Sequence, residues 1–195
     1  MNQENISEAY ISVDVETAGP YPDKYSLLTI GACTVGEKPR TFYIELKPAS
    51  LEMTPEAYAI HHLDLQRLTD QGEPPAKAME DFEAWLKAEV PAGQKPIFVA
   101  FNAPFDWMFV NDYFLRYLGH NPFGHSALDI KAFYMGCAGV PWAETTMRFV
   151  SARYLENRQL SHHALQDALD QALIFQKMLA EAGGRNTSAL PAASD

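Results

Sequence analysis

The sequence predicts an α/β fold, with a mixed five-stranded sheet flanked by helices, in a chain of 195 residues. Three observations carry that expectation. Strand-like runs at 10–16, 26–35 and 40–46 follow one another with only Pro/Gly-rich breaks between them. Beyond residue 54, helical stretches alternate with short strand-like runs at 96–101 and 126–130, the order that layers helices onto a sheet. Two carboxylates, Asp14 and Glu16, close the first run side by side.

In that first run Ile11, Val13 and Val15 alternate with Ser12, Asp14 and Glu16. A strand of period two therefore puts the apolar set on one face and the polar set on the other. Gly19, Pro20 and Pro22 separate it from the second run, and residues 36–39 form a break short enough for a hairpin to the third. Thr54 and Pro55 give a helix-start signature over 54–60, an N-cap with proline in the first position. From 74 to 90, Met79, Phe82, Leu86 and Val90 recur at helical spacing, and Pro91 ends this amphipathic helix. The run 96–101 is apolar without alternation, as in a strand covered on both faces. Asn102 is expected to cap a helix reaching Leu118, with Pro104 in its first turn. The strand at 126–130 leads into a helix from Lys131, and another helix is expected over 144–155. A last helix runs from His163 to Ala182, where Gly183 and Gly184 stop it. Within it Ala164, Leu165, Ala168 and Leu169 form the apolar face, while Asp170 and Gln171 face solvent.

Residues 1–183 are expected to form a single domain and the polar, Ala/Ser-rich 184–195 a flexible tail. The first strand should lie at the centre of the sheet, antiparallel to the second and parallel to the run at 96–101. The carboxyl ends of the two parallel strands then meet where ligand crevices form in open α/β sheets.

With 47% hydrophobic and 21% charged residues the chain has the composition of a soluble globular protein. No apolar run approaches the ~18–20 residues of a membrane span, and the polar, acidic start is unlike a secretory signal. No membrane partner is expected, and the cytoplasm is the default location. Cys33 and Cys137 lie in no metal-ligand spacing and read as two buried free thiols. A net charge of −10 disfavours a long grip on nucleic acid, which normally needs a basic field. The one local excess is Arg148, Arg153 and Arg158 against Glu144 and Glu156.

Two carboxylates emerging together from a strand repel unless a cation sits between them, and a divalent ion with oxygen ligands is the usual answer. Alone, such a pair is weak evidence, because most are solvated strand ends. Asp106 falls in the first turn of its helix, where the helix dipole alone favours a carboxylate. Asp167 sits at the edge of an apolar face; it is either an exposed helix acid or a buried one that needs a partner. Asp14, Glu16 and Asp106 all fall at the ends of the two parallel strands.

Collected in order, the chain carries Asp-x-Glu at 14–16, Asn-x-x-Phe-Asp at 102–106 and His-x-Ala-x-x-Asp-Ala at 162–168. This set resembles the DEDDh superfamily of 3′→5′ exonucleases, which includes polymerase proofreading subunits, oligoribonuclease and ribonuclease T. The resemblance covers residues 10–180. The stretch Asp-Val-Glu-Thr-Ala-Gly at 14–19 looks especially like ribonuclease T, and Asn121, Pro122 and Phe123 echo it. His61, His62 and Leu63 match loosely a family His-Gly-Ile, with His62 standing where glycine is usual.

The resemblance implies a ribonuclease H-like fold and a hydrolase releasing 5′-mononucleotides from the 3′ ends of single-stranded DNA or RNA. Asp14, Glu16, Asp106 and Asp167 would hold two Mg²⁺ or Mn²⁺ ions, with Asp14 bridging them. Four carboxylates suit a hard cation pair better than zinc. His162 would be the general base, histidine being the side chain suited to taking a proton from the attacking water at neutral pH. In a regular helix His163, and not His162, shares a face with Asp167, so the family pattern requires His162 to lie in the turn before the helix. Thr17, Ala18, His61 and Phe105 would meet the substrate, Phe105 by stacking on the terminal base or else by serving the core. Trp85, Trp107 and Trp142 read as core or rim, and His120 and His125 as loop residues. A homodimer is implied by analogy with ribonuclease T.

Three other functions remain open at this point: a catalytically weak nucleic-acid-binding module of the same fold, a ribonuclease H-type endonuclease, and a metal-free α/β protein. Filled family positions disfavour the first, and the His-x-Ala-x-x-Asp ending disfavours the second. Mn²⁺ binding that depends on Asp14 would separate the third from the rest. The charge balance makes its own prediction. Two divalent cations would still leave the chain strongly anionic, so substrate contacts must concentrate on the few 3′-terminal nucleotides, and action should be distributive. KM for short and long oligonucleotides should change only weakly between ~50 and ~200 mM monovalent salt at fixed Mg²⁺. A loss of affinity of about 10³ over that range would reveal a basic track instead.

Overall fold

Alternation along the first strand decides the layering. In a computed structural model describing residues 7–156 and 161–188, β1 (Ser7–Thr17) buries Ile11, Val13 and Val15 on one face and turns Ser12, Asp14 and Glu16 to the other. β2 (Leu27–Thr34) pairs antiparallel with β1, and β3 (Thr41–Glu45) antiparallel with β2. β4 (Gln94–Ala100) runs parallel to β1, and β5 (Ala127–Asp129) parallel to β4, giving the order β3-β2-β1-β4-β5. β1 is therefore central, as its sequence implied.

The helices are α1 (Pro55–His61), α2 (Leu65–Gln71), α3 (Pro75–Glu89), α4 (Ala103–Leu118), α5 (Ile130–Ala138), α6 (Met147–Tyr154) and α7 (Ala164–Ser188). A 3-10 turn, Trp142–Glu144, precedes α6, so the helix expected over 144–155 is shorter at its start. α2 has no counterpart in the sequence reading. It spans two turns around one buried residue, Leu68, too little for periodicity to register, although Asp64 caps it by accepting from the N–H groups of Gln66 and Arg67. α7 runs through Gly183 and on to Ser188. Glycine ends a helix when it turns left-handed; kept helical, it costs only about 1 kcal/mol relative to alanine.

The apolar face of β1 packs on α3 and α4, where Phe82, Phe98, Phe114 and Phe123 form one aromatic cluster. Burying each such ring stabilises the fold by roughly 1.5–3 kcal/mol. On the opposite side Val99 of β4 joins Ile130, Tyr134, Val150, Tyr154, Phe175 and Met178 from α5, α6 and α7. Phe98 and Val99 thus face opposite layers, and β4 is covered on both faces. Trp85 and Trp107 pack at the edge of the first core, while Trp142 is half exposed beneath the Lys131 ammonium. His120 bonds Glu83 at 2.8 Å. Cys33 is buried, but Cys137 is only partly so. Arg153 is tied to Glu181 at 2.7 Å, and Arg158 and residues 189–195 lie outside the described residues. No helix among the described residues is long and apolar enough to cross a membrane.

Two local findings correct the sequence reading and bear on the site. Asn102 precedes α4 but does not cap it: at φ 66° its side chain makes no capping bond. Asp129 does the work from β5, its Oδ1 accepting from the N–H groups of Asn102 (2.9 Å) and Ala103 (3.2 Å) while it also caps α5. The buried side of α7 is also displaced from the expected one. Asp170 and Gln171 are 3% and 1% exposed, whereas Leu165 and Leu169 are half-buried. The reason is the polar face of β1 against which α7 lies, where Ser12 Oγ donates to the carbonyl of Ala168 at 2.8 Å.

α7 approaches the sheet over Gly31, directly across from Asp14 in the β1–β2 ladder. A Cβ at Gly31 would lie 2.2 Å from the Ala164 carbonyl carbon and the Leu165 nitrogen. Because the clash is with backbone, Gly31→Ala should cost about 1–3 kcal/mol or more, read as a lowered denaturant midpoint. Gly36→Ala, at a position with open space around it, is the control and should leave the midpoint unchanged. Equal midpoints for the two variants would refute the close-approach account.

Candidate active site and metal centre

The ladders of β1 deliver two acids to one place. Asp14 and Glu16 leave the same face of the strand, and α7, seated over Gly31, brings Asp167 down onto them. One carboxylate oxygen from each of Asp14, Glu16 and Asp167 lies within 4.8 Å of the others. Asp106 stands beside this trio and not in it. β4 leaves β1 after the Ser12–Val99 pair, and the Val15 N–H beyond it is taken by Asp106 Oδ1 at 3.1 Å. The acid in the first turn of α4 thus continues the hydrogen bonding that β4 abandons.

Burial first, then repulsion from Asp106, Glu16 and Asp167, pushes the Asp14 carboxyl well above the usual carboxylate range, with the Gln171 amide pulling it back. Glu16 is raised to about 7 by burial and then by Asp167. Burial raises Asp106 to about 8, against the lowering effect of the Val15 N–H. Acids kept this close and this dry need either protons or a cation. An all-oxygen donor set of carboxylates fits hard divalent ions such as Mg²⁺ or Mn²⁺.

Asp167 also organises the turn before its own helix. Its Oδ1 accepts from the N–H and Oγ–H of Ser161, at 2.8 and 3.0 Å, and its Oδ2 from the N–H of His162 at 3.0 Å. His162 is exposed at φ 55°, in the turn before α7. His163 stacks its ring on Tyr43 of β3 at 4.8 Å, and its carbonyl accepts the Asp167 N–H. Among the described residues, His163 is anchored to the sheet by its ring and His162 to Asp167 by its N–H.

Beside the acids opens a pocket of ≈ 450 Å³, walled by Glu16, Thr17, Ile60, His61 and Phe105 among others. That is ample for a small ligand, by the usual ≈ 300–1,000 Å³ of such sites. Leu63 donates its N–H to His61 Nδ1 at 2.9 Å, so Nε2 carries the proton and donates to the Thr17 carbonyl at 3.1 Å. Both ring nitrogens of His61 are thus engaged within the protein. His62 next to it holds φ 55°, the left-handed conformation that favours glycine. Phe105 packs on Phe109 at 5.5 Å and lines the pocket. Ala18, grouped with the substrate-facing residues from sequence, lies beneath the wall. It is fully buried, its N–H bonded to the Ser26 carbonyl and its carbonyl to the Thr54 N–H.

One polar residue of the site escaped the sequence reading. Gln171 is buried and donates from Nε2 to Asp14 Oδ1 at 2.6 Å. Its signal was its place four residues after Asp167, on the same helical face.

Comparison with known proteins bears on the same residues. Residues 11–175 match the RNase_T exonuclease family. The 3′-5′ DNA exonuclease Cap18 of Escherichia coli is 43% identical over 169 residues, spanning 87% of this chain and 90% of Cap18. Among solved structures, the nuclease domain of 3′hExo, a DEDDh family member bound to rAMP, has a TM-score of 0.72 at 14% identity, covering 91% of this chain and 94% of its own. E. coli Exonuclease I in complex with a dT13 oligonucleotide has a TM-score of 0.71 at 18% identity, covering 93% of this chain and 43% of that one. At such identities the two structures speak for the fold, which is the ribonuclease H-like one. With the match extending over most of its length, the chain belongs to the RNase_T exonuclease family.

Proposed function

We propose that this exonuclease hydrolyses single-stranded DNA from the 3′ end to 5′-mononucleotides, using two Mg²⁺ or Mn²⁺ ions and His162 as general base. The observation that carries the reading is the trio of carboxylate oxygens within 4.8 Å, two of whose carboxyls burial and repulsion hold above their ordinary range. Asp14, Glu16 and Asp167 would hold one ion, with Asp14 reaching a second and Asp106 assisting. Such ions supply positive charge for the attacking water and for the oxygen that leaves phosphorus. His162, exposed in its turn, takes the proton of the water as the bond from phosphorus to the 3′ oxygen of the shortened strand breaks. Thr17, His61 and Phe105 form the wall for the terminal nucleoside, Phe105 offering a ring face, while Ala18 supports them from below. DNA as the substrate rests on the likeness to Cap18. A cytoplasmic setting, the default for a chain with two cysteines in no disulfide framework, and a homodimer by analogy with ribonuclease T belong to the same proposal.

The reading is tested with 5′-labelled linear and internally labelled circular single-stranded DNA in Mg²⁺: linear strands should shorten stepwise and circles should survive. Asp14→Ala, Glu16→Ala and Asp167→Ala should each abolish nearly all turnover, because metal positioning fails as a unit. His162→Ala should lose about 10²–10⁴ in rate with metal binding retained, and His163→Ala far less. Cleaved circles, or the reverse ranking of the two histidines, would sink the respective part of the proposal.

The raised carboxyls also set a pH dependence. Below about pH 4, an ordinary carboxylate value, folded and unfolded states are both protonated. As pH rises, the unfolded chain releases protons that the folded protein keeps until about 7 at Glu16 and about 8 at Asp106. Metal-free protein therefore loses stability across that window. Mg²⁺, which replaces those protons, should raise Tm more at pH 8 than at pH 5, measured against EDTA-treated protein. An equal shift at both values would dissociate the metal from these acids.

A further inference from the structure

Gln171 occupies a position that its amide alone can satisfy. The side chain lies inside the molecule, 1% exposed, on the face of α7 that meets the sheet. Its Oε1 accepts the Phe101 N–H at 2.9 Å, and its Nε2 donates to Asp14 Oδ1 at 2.6 Å. The Phe101 N–H can only donate, so the atom facing it must be the carbonyl oxygen, and the amide nitrogen must then face Asp14. Phe101 directly follows β4 and precedes Asn102, whose left-handed turn launches α4 and Asp106. One side chain therefore ties the acid of β1 to the junction that aims the acid of α4, from a helix that also carries Asp167.

We propose that Gln171 is a positioning residue for Asp14. It engages one carboxylate oxygen with a directed N–H and leaves the other for a cation shared with Glu16 and Asp167. The proposal rests on the metal-binding reading of those acids. Ligand-orienting partners of this kind usually contribute 10–100-fold to metal affinity or activity. A purely structural brace would need only the bond to Phe101, and the two roles are separable by substitution. Gln171→Met keeps length and bulk but removes both hydrogen bonds. Gln171→Glu keeps an acceptor for Phe101 and, ionised at the alkaline end of a pH–rate profile, turns an oxygen, instead of a donor, toward Asp14.

The test is Mn²⁺ titration calorimetry without substrate, followed by steady-state kinetics on a short single-stranded oligonucleotide at saturating Mn²⁺. Gln171→Met should bind Mn²⁺ about 10–100-fold more weakly, with an unchanged far-UV circular dichroism spectrum. Both variants should lose about 10–100-fold in kcat while KM for the oligonucleotide stays within a few-fold. If the Met variant fails to fold, the Glu variant, which keeps the Phe101 bond, carries the kinetic test. Wild-type Mn²⁺ affinity and kcat in Gln171→Met, or wild-type kcat in Gln171→Glu, would show that Gln171 only braces Phe101 and would overturn the proposal. Asp14→Ala in the same titration locates a failure elsewhere. If it binds Mn²⁺ as the unaltered protein does, the metal-binding reading falls and the role of Gln171 falls with it.

Discussion

Acids drawn together away from water raise the free energy of a fold unless their charge is shared, and the centre of this molecule is arranged around that constraint. Asp14, Asp106 and Asp167 each have a neighbour that takes part of their charge. Val15 donates its N–H to Asp106, Gln171 its amide to Asp14, and Ser161 and His162 their N–H groups to Asp167. These donors come from backbone and neutral side chains, which temper repulsion without neutralising it. Glu16 and Asp106 keep pKa values near 7 and 8, so the site retains a demand for positive charge. The apolar layers under β1 and β4 supply the rigidity that keeps the acids from moving apart.

Backbone strain is concentrated at the same place. Of the four non-glycine residues at positive φ among the described residues, His62, Asn102 and His162 adjoin the pocket or the acids, and Glu156 follows α6. Such conformations cost of order 1–3 kcal/mol each and persist where surrounding bonds over-determine them. His162 is held by its N–H to Asp167, and Asn102 by its N–H to Asp129. His62 closes α1 through its N–H to the Tyr58 carbonyl, and the following Leu63 fixes the His61 tautomer. These three strained residues therefore also decide where His162, Asp106 and His61 sit.

The strands and the acids were legible in the sequence because alternation and spacing are local properties. Ile11, Val13 and Val15 against Ser12, Asp14 and Glu16 foretold both the buried face and the polar face of β1. The polar partners of that face were not legible. A periodicity that counts only apolar residues put Asp170 and Gln171 in solvent, because it could not see that α7 would lie on serine and aspartate instead of valine. Asp129 was missed for a related reason. Its carboxylate caps the helix that follows it in sequence, as local rules would allow, but it also caps one that begins some two dozen residues earlier. Gly31 gave no signal either, since the helix it admits lies far along the chain.

Asp129 gives the two parallel-strand junctions a shared fate. Its Oδ1 accepts from Asn102, Ala103 and Lys131, and its Oδ2 from Ala132, so one side chain completes the first turns of both α4 and α5. Helix starts normally fray independently, each with its own cap. Here fraying of α5 would pull the acceptor from α4 as well, and with it the turn that carries Asp106. The shared cap predicts that the two helices open and close as one cooperative unit, with Asp106 sharing the slower dynamics of the pair.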